Sequence, residues 1–149
     1  AKYTVATEQL GSGNFAVVKK ATKTAKNTNA AVPQEVAIKF IDKSKVEDMN
    51  DIQREIEIMQ MIEHPNVIKL YEIYDEPKKM NLVMELVTGG ELFDRIVSKG
   101  NYCEKDASNV IATLCGALDY LHAKKVVHRD LKPENILYAS TAEDADIKV

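Results

Sequence analysis

His128-Arg129-Asp130-Leu131-Lys132-Pro133-Glu134-Asn135 packs an acid, two cations, a proline and a metal-friendly amide into eight residues, with Val126-Val127 before it and Ile136-Leu137 after it. The apolar flanks predict buried, strand-like segments at both ends, and the polar middle cannot be core. A polar loop clamped in this way is where a rigid scaffold presents chemistry.

Upstream of this loop, residues 104–124 read as a helix with Val110, Leu114, Ala117, Leu118 and Leu121 as its apolar stripe. Glu104 and Asp106 suit the positive end of its dipole, whereas Cys103 is a poor N-cap. A shorter helical face, Leu92, Phe93, Ile96 and Val97, follows the break at Gly89-Gly90. Val67–Tyr74 and Met80–Val87 read as strands joined around Pro77-Lys78-Lys79. Residues 44–63 predict a helix with Ser44 as candidate N-cap, ended by His64-Pro65-Asn66. Val36–Ile41 is a further strand, and residues 23–35, polar and carrying Pro33, read as a long exposed loop. Residues 3–22 alternate as two strand arms around Gly11-Ser12-Gly13. Five strands with one inserted helix, followed by helices, indicate an α+β fold in two parts, residues 1–87 and 88–149.

With 45% hydrophobic and 29% charged residues, the chain has enough apolar material for a real core. A formal charge of -3 and a pI near 5.7 argue against a protein built to grip nucleic acid or anionic membrane. Cys103 and Cys115 form no C-x-x-C pair, so a reducing compartment fits best. No apolar run approaches the roughly 20 residues of a membrane span, and the amino end is not a signal peptide. Together these features predict a cytoplasmic location.

Gly11-Ser12-Gly13-Asn14-Phe15-Ala16-Val17-Val18 has the form G-x-G-x-x-A-x-V. Glycines let backbone N–H groups approach a polyphosphate, although a plain hairpin turn explains them equally well. Dinucleotide binding would need the glycines to open a helix, and Val17-Val18-Lys19-Lys20 continues as strand instead. On the Val36–Ile41 strand, Ala37, Lys39 and Ile41 share a face. On the helix that follows, Glu55 falls among Ile52, Ile56 and Met59. A carboxylate on an apolar stripe needs a partner, and Lys39 is the natural one.

These motifs resemble the protein kinases. His128–Asn135 fits H-R-D-L-x-x-x-N, Val36-Ala37-Ile38-Lys39 fits V-A-I-K, and the glycine turn fits the Gly-rich loop except at Ala16. The wording of Gly11–Lys20, Val87–Asp94 and Val127–Asn135 is similar to the calcium/calmodulin-regulated and calcium-dependent branch, the glycine loop to death-associated kinases. The resemblance implies an antiparallel five-stranded N-lobe with one long helix, then the first part of a mainly helical C-lobe. It implies phosphorylation of Ser/Thr hydroxyls on protein substrates with ATP and Mg²⁺. Lys39, paired with Glu55, would hold phosphates, with Gly11 and Gly13 above them. Glu85 and Val87 would offer backbone groups to adenine, with Met84 behind it and Leu10, Val18, Ala37 and Leu137 as apolar walls. Asp130 would orient the attacking hydroxyl, Lys132 would meet the migrating phosphoryl group, and Asn135 would ligate Mg²⁺. Glu91 would meet the ribose or a basic substrate side chain. Glu134 would lie by the nucleotide and the substrate groove, so Ser/Thr sites near basic residues are expected. Calmodulin or another calcium sensor would act through segments outside this sequence.

Asp144–Val149 resembles the strand leading into Asp-Phe-Gly, and the sequence stops just short of that aspartate. The chain therefore reads as the front portion of a kinase domain, inactive in isolation and exposing the apolar face of the 104–124 helix. A catalytically silent nucleotide-binding or scaffold fragment is the alternative.

Overall fold

Alternating residues over the first 42 positions build three strands, β1 (Tyr3–Ser12), β2 (Ala16–Lys23) and β3 (Glu35–Asp42). Two more, β4 (Leu70–Asp75) and β5 (Lys79–Met84), complete an antiparallel sheet in the order β1-β2-β3-β5-β4. The computed structural model describes residues 1–13, 15–100 and 103–149, so Asn14 of the glycine turn lies outside the described residues. Helix α1 (Met49–Met61) packs Ile52 and Ile56 on Ile41, Met80 and Leu82 of the sheet. The opposite sheet face buries Ala21, Val36, Ile38 and Val83 together with Val32. By chain packing these elements form one unit, Ala1–Met61 with Lys69–Leu86.

Several local expectations for this unit need correction. The α1 helix starts at Met49, not near Ser44; Ser44 sits in a 3-10 turn, Lys43–Lys45, whose N-cap is Asp42. Asp42 accepts from the Ser44 N–H and hydroxyl, and a side chain so engaged competes with helix. The 23–35 stretch is no loose loop, because Asn27 and Val32 are 5% and 3% exposed. Asn27 and Asn29 reach Glu72 of β4, at 3.2 and 3.0 Å, and Tyr3 and Tyr74 donate hydroxyls to the same carboxylate at 2.6 and 2.7 Å. Burial works to raise the Glu72 pKa, but the donated hydrogen bonds from Tyr3, Tyr74, Asn29 and Asn27 outweigh it and hold the group down at about 2. Burial and the Glu72 carboxylate push Tyr74 up to about 12.

The second unit comprises Ile62–Ile68 and Val87–Val149. It holds α2 (Leu92–Lys99), α3 (Glu104–Ala123) and a two-stranded ribbon, β6 (Leu137–Tyr138) with β7 (Ile147–Lys148). Leu92, Leu114, Ile136, Tyr138 and Ile147 form its core. The α3 stripe is covered within this chain more than expected: Leu114, Ala117 and Leu121 are 6%, 0% and 3% exposed, while Val110 and Leu118 are half-buried and Ile111 beside them is exposed. The expected α2 face is only half used, since Leu92 is buried while Phe93 and Val97 are exposed.

Residues 62–68 are pinned to this unit. The Glu63 N–H donates to the Tyr120 hydroxyl at 2.9 Å, and Asn66 exchanges hydrogen bonds with the Ile147 carbonyl and the Val149 N–H. That is why β4 begins at Leu70 and not at Val67.

Val126-Val127 is not a strand. Val126 closes the C-terminus of α3 by donating to the Leu121 carbonyl, and Val127 is 64% exposed. Only the downstream flank, Ile136 and β6, is the buried clamp expected for the polar loop.

Candidate active site

The first group of candidate residues lies on the sheet. The turn between β1 and β2 is closed by the Gly13 N–H on the Ala16 carbonyl at 2.8 Å. Gly11, Gly13, Val18 and Lys39, with Ser12 and Phe15, line one cavity of about 280 Å³. Val18 and Lys39 are register partners across β2 and β3, which sets an apolar wall beside a cation. A Cβ on Gly11 would meet nothing within 4 Å. Nothing in the chain itself therefore demands glycine there, whereas close approach of a phosphate to the backbone would. The residues present fit a polyphosphate on that ground. Leu10, one of the expected apolar walls, is 46% exposed.

Lys39 Nζ stands 3.4 Å from Glu55 Oε1, with the side chains 24% and 52% exposed. The expected pair is present, but Glu55 lies on the flank of the α1 stripe with water on one side. Helix spacing alone put it deeper, because i+3 from Ile52 marks the edge of an apolar face as well as its centre. Ala37 is buried and faces Met84 in register, so both sit at the end of the β3–β5 ladder. The Glu85 N–H is committed to the Lys69 carbonyl at 2.8 Å. β5 ends at Met84, and Val87 begins the second unit.

The second group lies on the polar loop. Pro133 opens a 3-10 turn, Pro133–Asn135, closed by the Asn135 N–H on the Lys132 carbonyl at 2.9 Å. That turn swings Asn135 back over Asp130: its Nδ2 donates to the Asp130 carbonyl and to Oδ2, each at 2.8 Å. Lys132 Nζ is 3.3 Å from the same Oδ2. Hydrogen bonds from Asn135 and then Lys132, helped by the charges of Lys132 and His128, hold the Asp130 carboxyl below the usual aspartate range. Asp130 is therefore an exposed anion with fixed orientation. Arg129 is held at φ 70°, a left-handed conformation that only a well-determined loop imposes on a branchless cation. Asn135 Oδ1 carries no hydrogen bond among the described residues, which leaves a hard oxygen donor of the kind Mg²⁺ takes.

Glu91 caps α2 through its backbone and bridges Leu137, so these two candidates sit side by side. Gly89 makes this possible: a Cβ there would stand 2.1 Å from the Ser140 carbonyl oxygen. Glu134 is exposed within the 3-10 turn.

The protein kinase domain family matches residues 4–149. This chain belongs to that family. It is 48% identical over 141 residues to calcium/calmodulin-dependent protein kinase type 1 of Macrobrachium nipponense, covering 94% of this chain and 39% of that protein. Against calcium-dependent protein kinase 5 of Plasmodium falciparum (isolate 3D7) it is 44% identical over 147 residues, 99% of this chain and 25% of that protein. Against calcium/calmodulin-dependent protein kinase type 1B of Rattus norvegicus the identity is 44% over 143 residues, 95% of this chain and 40% of that protein. The kinase chain thus spans between 25% and 40% of these relatives' lengths.

Three features of the kinase domain went unread in the sequence. Phe15 lines the glycine-loop cavity although it is 37% exposed, and an aromatic at the tip of a turn was the available signal. The strained φ of Arg129 has no sequence signature. Asn66 ties residues 62–68 to β7, and its place after a proline between apolar residues hinted only at a helix end. Among the described residues no helix is long and apolar enough to cross a membrane.

Proposed function

We propose that this kinase domain serves the transfer of a phosphoryl group from ATP to Ser or Thr hydroxyls of protein substrates. The observation that carries the reading is Asp130, an exposed, ionised carboxylate oriented by Asn135 and flanked by Lys132. Bound ATP with Mg²⁺ supplies the phosphoryl group and the metal charge. Gly11 and Gly13 let backbone N–H groups come close to the phosphates, and Lys39, steadied by Glu55, neutralises phosphate charge. Asp130 accepts a hydrogen bond from the substrate hydroxyl and aims its oxygen. Lys132 stabilises the charge that develops in transfer, and Asn135 Oδ1 is the protein oxygen offered to the metal. Ala37, Val18, Met84 and Leu137 provide apolar surface for the base, with backbone groups of Glu85 and Val87 to recognise its edge.

Glu91 and Glu134 add a preference for arginine or lysine near the target hydroxyl. Glu134 is exposed, and the Glu91 side chain makes no cap hydrogen bond, which leaves it for a substrate cation. The names of the relatives support regulation by calcium or calmodulin through other segments. The two free cysteines, Cys103 and Cys115, both exposed, suit a reducing cytoplasm.

The test is ATP-dependent phosphorylation of a basic Ser/Thr peptide by the full protein that carries this domain. Lys39→Met and Asp130→Asn should each lower turnover by about a hundredfold or more. Wild-type turnover in both variants would overturn the reading, and a peptide array returning acidic or proline-directed motifs would overturn the substrate preference.

A further inference from the structure

The sheet face turned away from α1 is incompletely covered, and its open part is neither neutral nor flat. Val17, Phe40, Asn81 and Tyr74 are register partners in one row across β2, β3, β5 and β4. Phe40 borders two cavities on this face. The larger, about 560 Å³, has Val5, Phe15, Val17 and Phe40 among its walls. The smaller, about 300 Å³, lies toward Tyr3, Tyr74 and Asn81. Cavities of some 300–1,000 Å³ with apolar walls and few polar groups are the usual size for small-molecule sites.

Charge decides what such a ligand would be. Lys19, Lys45 and Lys79 line the larger cavity, against Asp42 as its one carboxylate. Among the described residues none of the three lysines is ion-paired. The Asp42 carboxylate is already engaged by the Ser44 N–H and hydroxyl. Three lysines against one aspartate leave a net charge of about +2 around this cavity, in a chain whose formal charge is -3. Asn81, which lines the smaller cavity, has its Oδ1 buried without a hydrogen-bond partner among the described residues.

We propose that this face is a second binding site, for a small amphiphilic anion. Its aromatic or aliphatic body lies against Val5, Val17 and Phe40, and its acidic group is held by Lys19, Lys45 and Lys79. The site adjoins the glycine-loop cavity, with Gly13, Phe15 and Ala16 lining both, but its apolar floor is distinct, because Val18 and Lys39 face the other side of the sheet from Val17 and Phe40. It does not depend on the nucleotide reading.

The probe is 2-naphthoate, with 2-naphthamide as its neutral isostere, titrated to about 5 mM into the full chain carrying ¹³C-labelled valine methyls. Saturable shifts of the Val5 and Val17 methyls by the naphthoate are expected, with the amide at least about fivefold weaker. Combining Lys19→Met, Lys45→Met and Lys79→Met, of which Lys45 and Lys79 are exposed and Lys19 is half-buried, should weaken naphthoate by a similar factor and leave the amide unchanged. Lys39→Met should leave both unchanged. Linear, unsaturated shifts would overturn the proposal, as would equal binding of acid and amide. So would sensitivity to Lys39→Met alone, which would move the probe to the glycine-loop cavity. Methyl shifts that follow protein concentration without probe would assign the face to a second copy and overturn it likewise.

Discussion

Asn135 donates its side-chain amide twice to Asp130, once to the backbone oxygen and once to the carboxylate, at 2.8 Å each. The same residue proposed to offer oxygen to a metal thus fixes the carboxylate proposed to aim the substrate. Asn135→Leu should raise the Asp130 pKa toward its ordinary value, because the largest stabiliser of the charged form is removed. Lys132→Met should raise it less. The measurement is a ¹³C titration of the Asp130 carboxyl. A midpoint in Asn135→Leu as low as in the wild type would show that Lys132 alone holds the charge.

The Lys39–Glu55 pair separates stability from function. With Glu55 half in solvent, the pair is close to a surface ion pair, and removing one member should cost less than about 1 kcal/mol of folding stability. Lys39→Met and Glu55→Gln should therefore unfold in urea at nearly the wild-type midpoint while nucleotide affinity falls about tenfold or more. A stability loss of several kcal/mol would mean the pair is buried and acts as a structural strut.

Glu72 makes a specific acid-side prediction. Its folded pKa lies at about 2 against an ordinary 4.5, so its contribution is fully present above about 4.5 and is lost as pH falls toward about 2. Glu72→Gln should remove that segment of the stability-versus-pH curve, on the order of 1 kcal/mol once solvent screening is allowed for. Urea midpoints at neutral pH and in the acid window supply the test. The wild type should lose more stability than the variant on acidification, and parallel curves would show that the Tyr3, Tyr74, Asn27 and Asn29 contacts carry no net charge stabilisation.

Sequence pattern revealed the strands and the polar loop because both rest on local rules. Period-two alternation marks β1 to β3, and the charged run from His128 to Asn135 marks a polar loop whatever surrounds it. Where tertiary partners decide, the sequence was mute or misleading. The 23–35 stretch is polar and looks solvated, yet Asn27 is buried because Glu72, 45 residues away, gives it a partner. Glu55 occupies a helix position that spacing places among buried residues, and only the packed sheet shows water reaching it. Val126-Val127 reads as strand, but the helix C-terminus takes its first N–H. Among the candidate residues, Val18 with Lys39, Asp130 with Lys132 and Asn135, and Glu91 with Leu137 are brought together in three local groups.

Gly89 and Gly90 are adjacent and should respond differently to alanine. At Gly89 the new Cβ would meet the Ser140 oxygen at 2.1 Å and Tyr138 Cβ at 2.5 Å, both parts of the chain that cannot swing aside. Gly89→Ala should cost about 3 kcal/mol, the upper end for overpacking. Gly90 has open space but a φ of 75°, so Gly90→Ala should cost about 1 kcal/mol through backbone strain alone. Thermal unfolding of the two variants gives the order. Equal losses would show that the Tyr138–Ser140 segment yields.

Lys125 provides a site where the cost of left-handed backbone can be measured. The end of α3 is a Schellman closure: the Val126 N–H donates to the Leu121 carbonyl at 2.9 Å and the Lys125 N–H to the His122 carbonyl at 2.8 Å. That geometry puts the residue after the C-cap in left-handed conformation, and here it is lysine at φ 61° where glycine is the usual occupant. Two effects compete in Lys125→Gly, since relief of strain is opposed by loss of a cation at the negative end of the dipole and by the freer unfolded chain. Lys125→Ala isolates them, because alanine loses the same charge and keeps the strain. The glycine variant should be more stable than the alanine variant by about 0.5–1 kcal/mol, read as the difference in urea midpoints at constant slope. An alanine variant as stable as the glycine one would mean that the turn relaxes out of the left-handed region when the lysine is removed.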